Sequence, residues 1–98
     1  MPRNPELMRH NIAEMARALE GADAALIEEF LYSLLTPAEA DEMAKRWALV
    51  KELSTGMPQR KIAEELGLSL CKITRGSREL KKQGSAFKAL LERLDTKK

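Results

Sequence analysis

Residues 57–80 read MPQRKIAEELGLSLCKITRGSREL. Apolar positions recur at helical spacing on both sides of Leu66-Gly67-Leu68-Ser69, so the pattern predicts two short helices joined by a tight turn. Pro58 opens the first, in which Ile62, Ala63 and Leu66 face inward. Gly67 tolerates the positive φ that the turn needs, and Ser69 caps the second helix. Ala63, Gly67 and Ile73 carry the spacing of a helix-turn-helix: a small residue where two helices approach, a glycine at the turn and a β-branched plug in the angle. Many αα-hairpins share part of that pattern.

Read at 3.6 residues per turn, the second helix resolves into three faces. Leu70, Ile73, Ser77 and Leu80 form an inward face. Cys71, Thr74, Arg78 and Lys82, with Lys81 at the margin, are residue types that reach a groove or a phosphate. The third face holds Lys72, Arg75, Gly76 and Glu79. A glycine in mid-helix costs about 1 kcal/mol relative to alanine. Gly76 therefore either relieves crowding against a neighbouring helix or leaves a gap for a ligand beside the preceding one.

Upstream, Asn4-Pro5-Glu6 reads as a helix start, followed by Met8, Ile12, Met15 and Leu19 at helical spacing and ended by Gly21. Asp23 caps a second helix whose Leu26, Ile27, Phe30, Leu31, Leu34 and Leu35 make a face wider than a lone surface helix needs. That width fits either a tightly packed core or a surface shared with a second subunit. Thr36-Pro37-Ala38-Glu39 is a capping box with proline at the first helical position. In the helix that follows, Ala40, Met43, Ala44, Trp47, Val50 and Leu53 supply the inward stripe, Gly56 closes it, and Arg46 reads as an exposed base. Downstream, Ser85 caps a last amphipathic helix carrying Phe87, Leu90, Leu91 and Leu94, and Thr96-Lys97-Lys98 reads as a frayed end.

The formal charge of +2 hides a gradient. Residues 1–36 carry three arginines against six acids, residues 37–55 three bases against four acids, and residues 56–98 eleven bases against five acids, a net +6. A base-rich end is the footprint of a polyanion partner, although a solvated helical face gives a similar count. At 98 residues the chain is the size of one domain with a thin core, which an oligomer would thicken. The single cysteine, Cys71, forms no intrachain disulfide, and the only histidine is His10. No run approaches the roughly 20 apolar residues of a membrane span, and the N-terminus has no apolar signal region, so a cytoplasmic chain is expected. There is no metal-ligand cluster, phosphate-cradling glycine loop or nucleophile-base constellation, which argues against an enzyme.

Taken together, Leu35-Thr36-Pro37, Arg46, Gln59-Arg60 and above all Ile73-Thr74-Arg75-Gly76-Ser77 resemble the tryptophan repressor family, over roughly Leu31 to Lys81. The resemblance implies an all-α, six-helix subunit in an intertwined homodimer. Residues 1–98 would form a single domain, with 1–55 as N-terminal helices and dimer core, 57–82 as the helix-turn-helix reader and 85–95 as the C-terminal helix. It implies no metal and no cofactor, with L-tryptophan as the co-repressor ligand. Arg46 and Arg75 would lie on either side of the indole, and Arg75 would meet the carboxylate. Gly76 would leave room for the ring, while Thr36 and the backbone carbonyls near Ser33 and Leu35 of the other subunit would receive the amino end.

Gln59, Arg60, Ser69 and Leu70 match or neighbour the DNA-contacting positions of that family, as do Cys71, Lys72, Thr74 and Lys81; Arg78 joins them on helix phase. Lys72 departs from the small hydroxyl residue of the better-known members, and Glu79 from their small residue near the ligand. Glu79 is positioned to pair either with a ligand ammonium or with Arg75 or Arg46. The expected function is thus a ligand-dependent repressor that binds a double-stranded DNA operator of tryptophan biosynthesis genes. One alternative is a member of the same family that answers to another ligand or to none. Another is a helical protein-interaction module whose basic end meets an acidic partner.

Overall fold

Side-chain caps set where the helices begin. In the computed structural model, which describes residues 3–96, Asn4 Oδ1 accepts the backbone N–H groups of Glu6 and Leu7 at 3.1 Å each, with Pro5 at the first helical position. Helix α1 (Pro5–Leu19) follows and gives way to Gly21 at φ +78°. Asp23 Oδ1 accepts from Leu26 N at 3.2 Å and starts α2 (Ala24–Leu34). Both satisfy backbone donors that a helix N-terminus leaves without an intrahelical partner.

The capping box opens α3 (Pro37–Ser54) as the sequence predicts. Thr36 Oγ1 accepts from Glu39 N at 3.2 Å, and Glu39 Oε1 accepts from Thr36 N at 2.9 Å. Then come α4 (Gln59–Leu66), α5 (Leu70–Lys81) and α6 (Ala86–Thr96). The protein is all-α, with no strand among the described residues and no helix long and apolar enough to cross a membrane. Thr96 closes α6, while Lys97 and Lys98 of the expected frayed end lie outside the described residues.

Backbone proximity divides the chain into two units that meet between Ala40 and Asp41. In the first unit neither α1 nor α2 has a buried residue. Leu7, Met8, Ile12, Leu26, Tyr32 and Leu34 are all exposed, and Ile27, Phe30, Leu31 and Leu35 only half-buried. The broad apolar face of α2 therefore buries none of its residues.

The second unit contains the core. Leu49, Ile62 and Ile73 are buried together, with Leu53, Met57, Ala63, Leu66 and Leu68 packed around them. Gly67 takes φ +64° at the C-cap of α4, and Leu68 N donates to Ala63 O across the turn. This is the left-handed closure that glycine permits without a Cβ clash. Ser69 Oγ then accepts from Lys72 N and starts α5. Ser85, itself buried, caps α6 in the same way through Lys88 N. Trp47 and Phe87 meet with ring centroids 6.3 Å apart and tilted by 34°, tying α6 to α3.

Two helix faces differ from the periodic reading. Leu70 is 54% exposed, so the inward face of α5 is Ile73 and Ser77 with half-buried Leu80. As the first residue of α5, Leu70 precedes the turn that packs on α4. In α3, Met43 and Ala44 are exposed and the buried pair is Leu49 and Val50, of which the sequence stripe contained only Val50. The stripe is rotated toward α4 and α5, where the packing partners lie.

Two predictions follow from local contacts. The Thr36 backbone N–H, and secondarily its side chain, hold the Glu39 carboxyl below the usual glutamate range. Its folded pKa lies below the unfolded one, so the stabilisation is present above the unfolded value and is lost as pH falls through the lowered folded value. Carbon-detected NMR titration should give Glu39 a depressed midpoint, and Glu39→Gln should flatten that part of the acid-side stability loss. In the core, Ile73→Ala removes a fully buried side chain and should cost about 2–5 kcal/mol in urea unfolding.

Candidate nucleic-acid interface and ligand recess

Helix α5 has two exposed sides because its third side is anchored. Ile73 and Ser77 are buried, which turns Cys71, Thr74 and Arg78 outward. Ser69 and Leu70 are exposed at its start, and Arg78 and Lys81 at its end, where cations also complement the helix dipole. Thr74 Oγ1 donates to Leu70 O at 2.9 Å, which settles its hydroxyl against its own helix. Gln59 and Arg60, at the start of α4, are exposed as well. The expected DNA-contacting residues thus lie on the exposed parts of two helices locked together by Ile62 and Ile73. An open groove beside the α5–α6 turn adds Lys82 and Lys88 to Lys81.

The other side of α5 borders a recess of about 270 Å³. Leu49 and Val50 of α3, Leu68 of the turn, Gly76 of α5 and Phe87 of α6 give it an apolar floor. Glu42, Lys45 and Arg46 of α3 and Lys72, Arg75 and Glu79 of α5 give it a charged rim. A concave apolar surface with convergent polar groups is the usual make-up of a small-molecule site.

The rim charges are unequally engaged. Glu42 carries two partners: Lys72 Nζ at 3.2 Å from Oε1, which joins α5 to α3, and Arg46 Nη2 at 3.5 Å from Oε2. Lys45 pairs with Asp41 at 3.1 Å. All three pairs are substantially exposed, and such pairs contribute at most about 1 kcal/mol each. Glu79 forms no ion pair with Arg75 or Arg46 among the described residues, so the self-closing alternative of the sequence reading is not realised.

Gly76 fits the crowding reading of the sequence. A Cβ built on it would lie 3.0 Å from Leu49 Cδ2 and 3.3 Å from Leu49 Cγ, so it relieves crowding between α5 and α3. It also lines the recess. The close approach of the two backbones brings the rim residues of α3 and α5 to one opening.

Four of the expected ligand residues, Arg46, Arg75, Gly76 and Glu79, therefore border one recess. Ser33, Leu35 and Thr36 belong to the first unit. Ser33 Oγ donates to Glu29 O, Leu35 is the C-cap of α2, and Thr36 is engaged in the capping box. Lys72, expected on the same helix face as Arg75 and Gly76 and also among the DNA-contacting positions, reaches across the recess to Glu42. Glu42, Lys45 and the floor residues Leu49, Val50, Leu68 and Phe87 were not among the expected site residues. Helical phase with Arg46 was the available signal for Glu42, Leu49 and Val50, whereas Phe87 comes from a distant helix and had none.

Comparison with known proteins agrees with this architecture. The family model described as Trp repressor protein matches residues 10–95. A Trp operon repressor homolog of Vibrio parahaemolyticus is 37% identical over 84 residues, covering 85% of this chain and 80% of that protein. Those of Vibrio vulnificus and Chlamydia caviae are 42% identical over 65 residues and 39% over 70, covering 64% and 69% of their own lengths and 65% and 70% of this chain. No solved structure matches the chain significantly. With a helix-turn-helix in its core and a family match spanning most of its length, this chain belongs to the Trp repressor family, a family of DNA-binding regulators and not of enzymes.

Proposed function

We propose that the protein is a tryptophan-responsive repressor that binds, as a homodimer, an operator controlling tryptophan biosynthesis genes. The observation that carries this reading is the double duty of α5. One side exposes Cys71, Thr74 and Arg78, and the other borders a recess with Arg75, Gly76 and Glu79. A ligand seated there would press on the helix that reads DNA.

In this reading Arg46 and Arg75 attract the two faces of the indole, and Arg75 holds the carboxylate by charge-assisted hydrogen bonds. Thr36 and the carbonyls near Ser33 and Leu35 of a second subunit receive the amino end. The exposed apolar residues of α1 and α2 supply the surface on which that subunit docks. Gln59, Ser69, Leu70, Cys71 and Thr74 approach bases and sugar-phosphate, while Arg60, Arg78 and Lys81 neutralise phosphates and Lys72 joins them when its ammonium leaves Glu42. The two reader helices of a dimer must stand about 34–36 Å apart to enter successive major grooves, a geometry of which this family is itself a standard example. Tryptophan acts by binding the DNA-competent arrangement better than the alternative, since a ligand shifts an equilibrium only by its differential affinity. Such a repressor works in the cytoplasm, where its operator is.

A repressor of the same family that answers to another ligand is the second reading, favoured by the charges of Glu42, Lys72 and Glu79 on the rim. Calorimetry with L-tryptophan separates the two, because absence of binding removes the co-repressor role and leaves DNA binding intact. In gel shifts on a promoter of tryptophan genes, Arg75→Ala should abolish the ligand dependence of operator binding; unchanged dependence would count against the recess as the ligand site. Lys81→Ala should weaken specific and non-specific DNA binding alike and lower the salt slope by about one unit. A change confined to operator discrimination would contradict the phosphate role.

A further inference from the structure

The charges on the recess rim do not cancel at random. Among its cations, Lys45 is held by Asp41, and Arg46 and Lys72 are both held by Glu42. Glu42 is in turn the doubly engaged anion. The remaining rim charges are one guanidinium, Arg75, and one carboxylate, Glu79, neither with an ion pair or a hydrogen bond among the described residues.

That leftover pair is unusual for its position. Arg75 and Glu79 stand four residues apart on one helix, a spacing at which opposite charges readily meet, and Lys82 follows Glu79 by three. Glu79 also lies in the last turn of α5, where the helix dipole favours cations over a carboxylate. Neither helix stability nor local pairing accounts for a free acid at this point.

We infer that Glu79 receives the ammonium group of a zwitterionic α-amino acid whose carboxylate is held by Arg75 and whose apolar side chain lies on the floor of Leu49, Val50, Leu68 and Phe87. This rests on the amino-acid reading of the recess and adds to it a charged acceptor from the same subunit as the arginine. An ammonium carries three donors, so Glu79 supplements the carbonyls proposed from the second subunit and does not replace them. Gly76, one residue from Arg75 and three from Glu79, places no side chain of its own between the two charges, and the apolar Leu49 side chain packs against it. The arrangement makes Glu79 a specificity residue: it attracts an amino acid and repels an anion that has the same ring and carboxylate but no ammonium.

The test compares L-tryptophan with indole-3-propionate, which lacks only the ammonium, by calorimetry on the full-length protein and on Glu79→Gln and Glu79→Asp. L-phenylalanine and L-leucine are run as further amino-acid probes. Glu79→Gln should weaken tryptophan by about tenfold, the loss of one charge-assisted contact, and leave indole-3-propionate unchanged or tighter. Glu79→Asp should restore part of the difference. Equal losses for both ligands, or no loss for either, overturn the inference while the tryptophan reading stands. Glu79-dependent binding of phenylalanine or leucine without tryptophan upholds the inference and removes tryptophan as the ligand. Binding of none of the amino acids overturns both.

Discussion

The contact of Leu49 with Gly76 is the constraint on which the second unit depends. A Cβ on residue 76 would stand 3.0 Å from Leu49 Cδ2, so glycine lets α5 lie this close to α3 where a larger residue would make the Leu49 side chain give by a few tenths of an ångström. The approach buries Leu49 with Ile62 and Ile73, and these three residues join α3, α4 and α5. It also shapes the recess, because Leu49 and Gly76 are part of its lining. Packing and site thus share one contact. A mid-helix glycine that costs about 1 kcal/mol in propensity is offset by the apolar burial it permits.

The core that this contact organises is small. Leu49, Val50, Ile62 and Ile73 are the buried hydrophobic residues among those described, and α1 and α2 contribute none. A short chain whose first two helices expose Leu7, Ile12, Leu26 and Leu34 has apolar surface left over that a partner subunit would remove from water. Dimerisation under the proposed function would cover that surface as well as place two reader helices on one operator.

Electrostatics divides α5 more finely than burial does. Its outward side is basic and suits a phosphate lattice, whereas on the recess side the charges are mixed and mostly paired through Glu42. Exposed pairs of this kind add little stability, so their physical effect is to assign partners. Lys72 illustrates this. Its position in the first turn of α5 is compatible with DNA, but Glu42 draws its ammonium across the recess to α3. A single carboxylate on α3 thereby sets where one positive charge of α5 lies.

Local chemistry was legible in the chain. Asn4, Asp23, Thr36, Ser69 and Ser85 each cap a helix through contacts within three residues, and Gly67 makes the turn because its own backbone must enter the left-handed region. Such features depend on neighbours in sequence, so residue type and spacing determined the six helices, the helix-turn-helix and the family. Which side of each helix is covered did not follow from periodicity alone. Leu70 fits the inward phase of α5 and is exposed, Leu49 was passed over in α3 and is buried, and Met43 lies in the stripe and meets no core. A helical pattern says which residues share a face, but the burial of that face depends on where another helix lands. For the same reason only the tertiary structure decided that Gly76 faces Leu49, that Phe87 of α6 lines the recess, and that Glu42 takes Lys72 and Arg46 while Arg75 and Glu79 have no ion pair among the described residues. Those outcomes are distances between helices far apart in sequence, and they follow from close packing around Ile62 and Ile73.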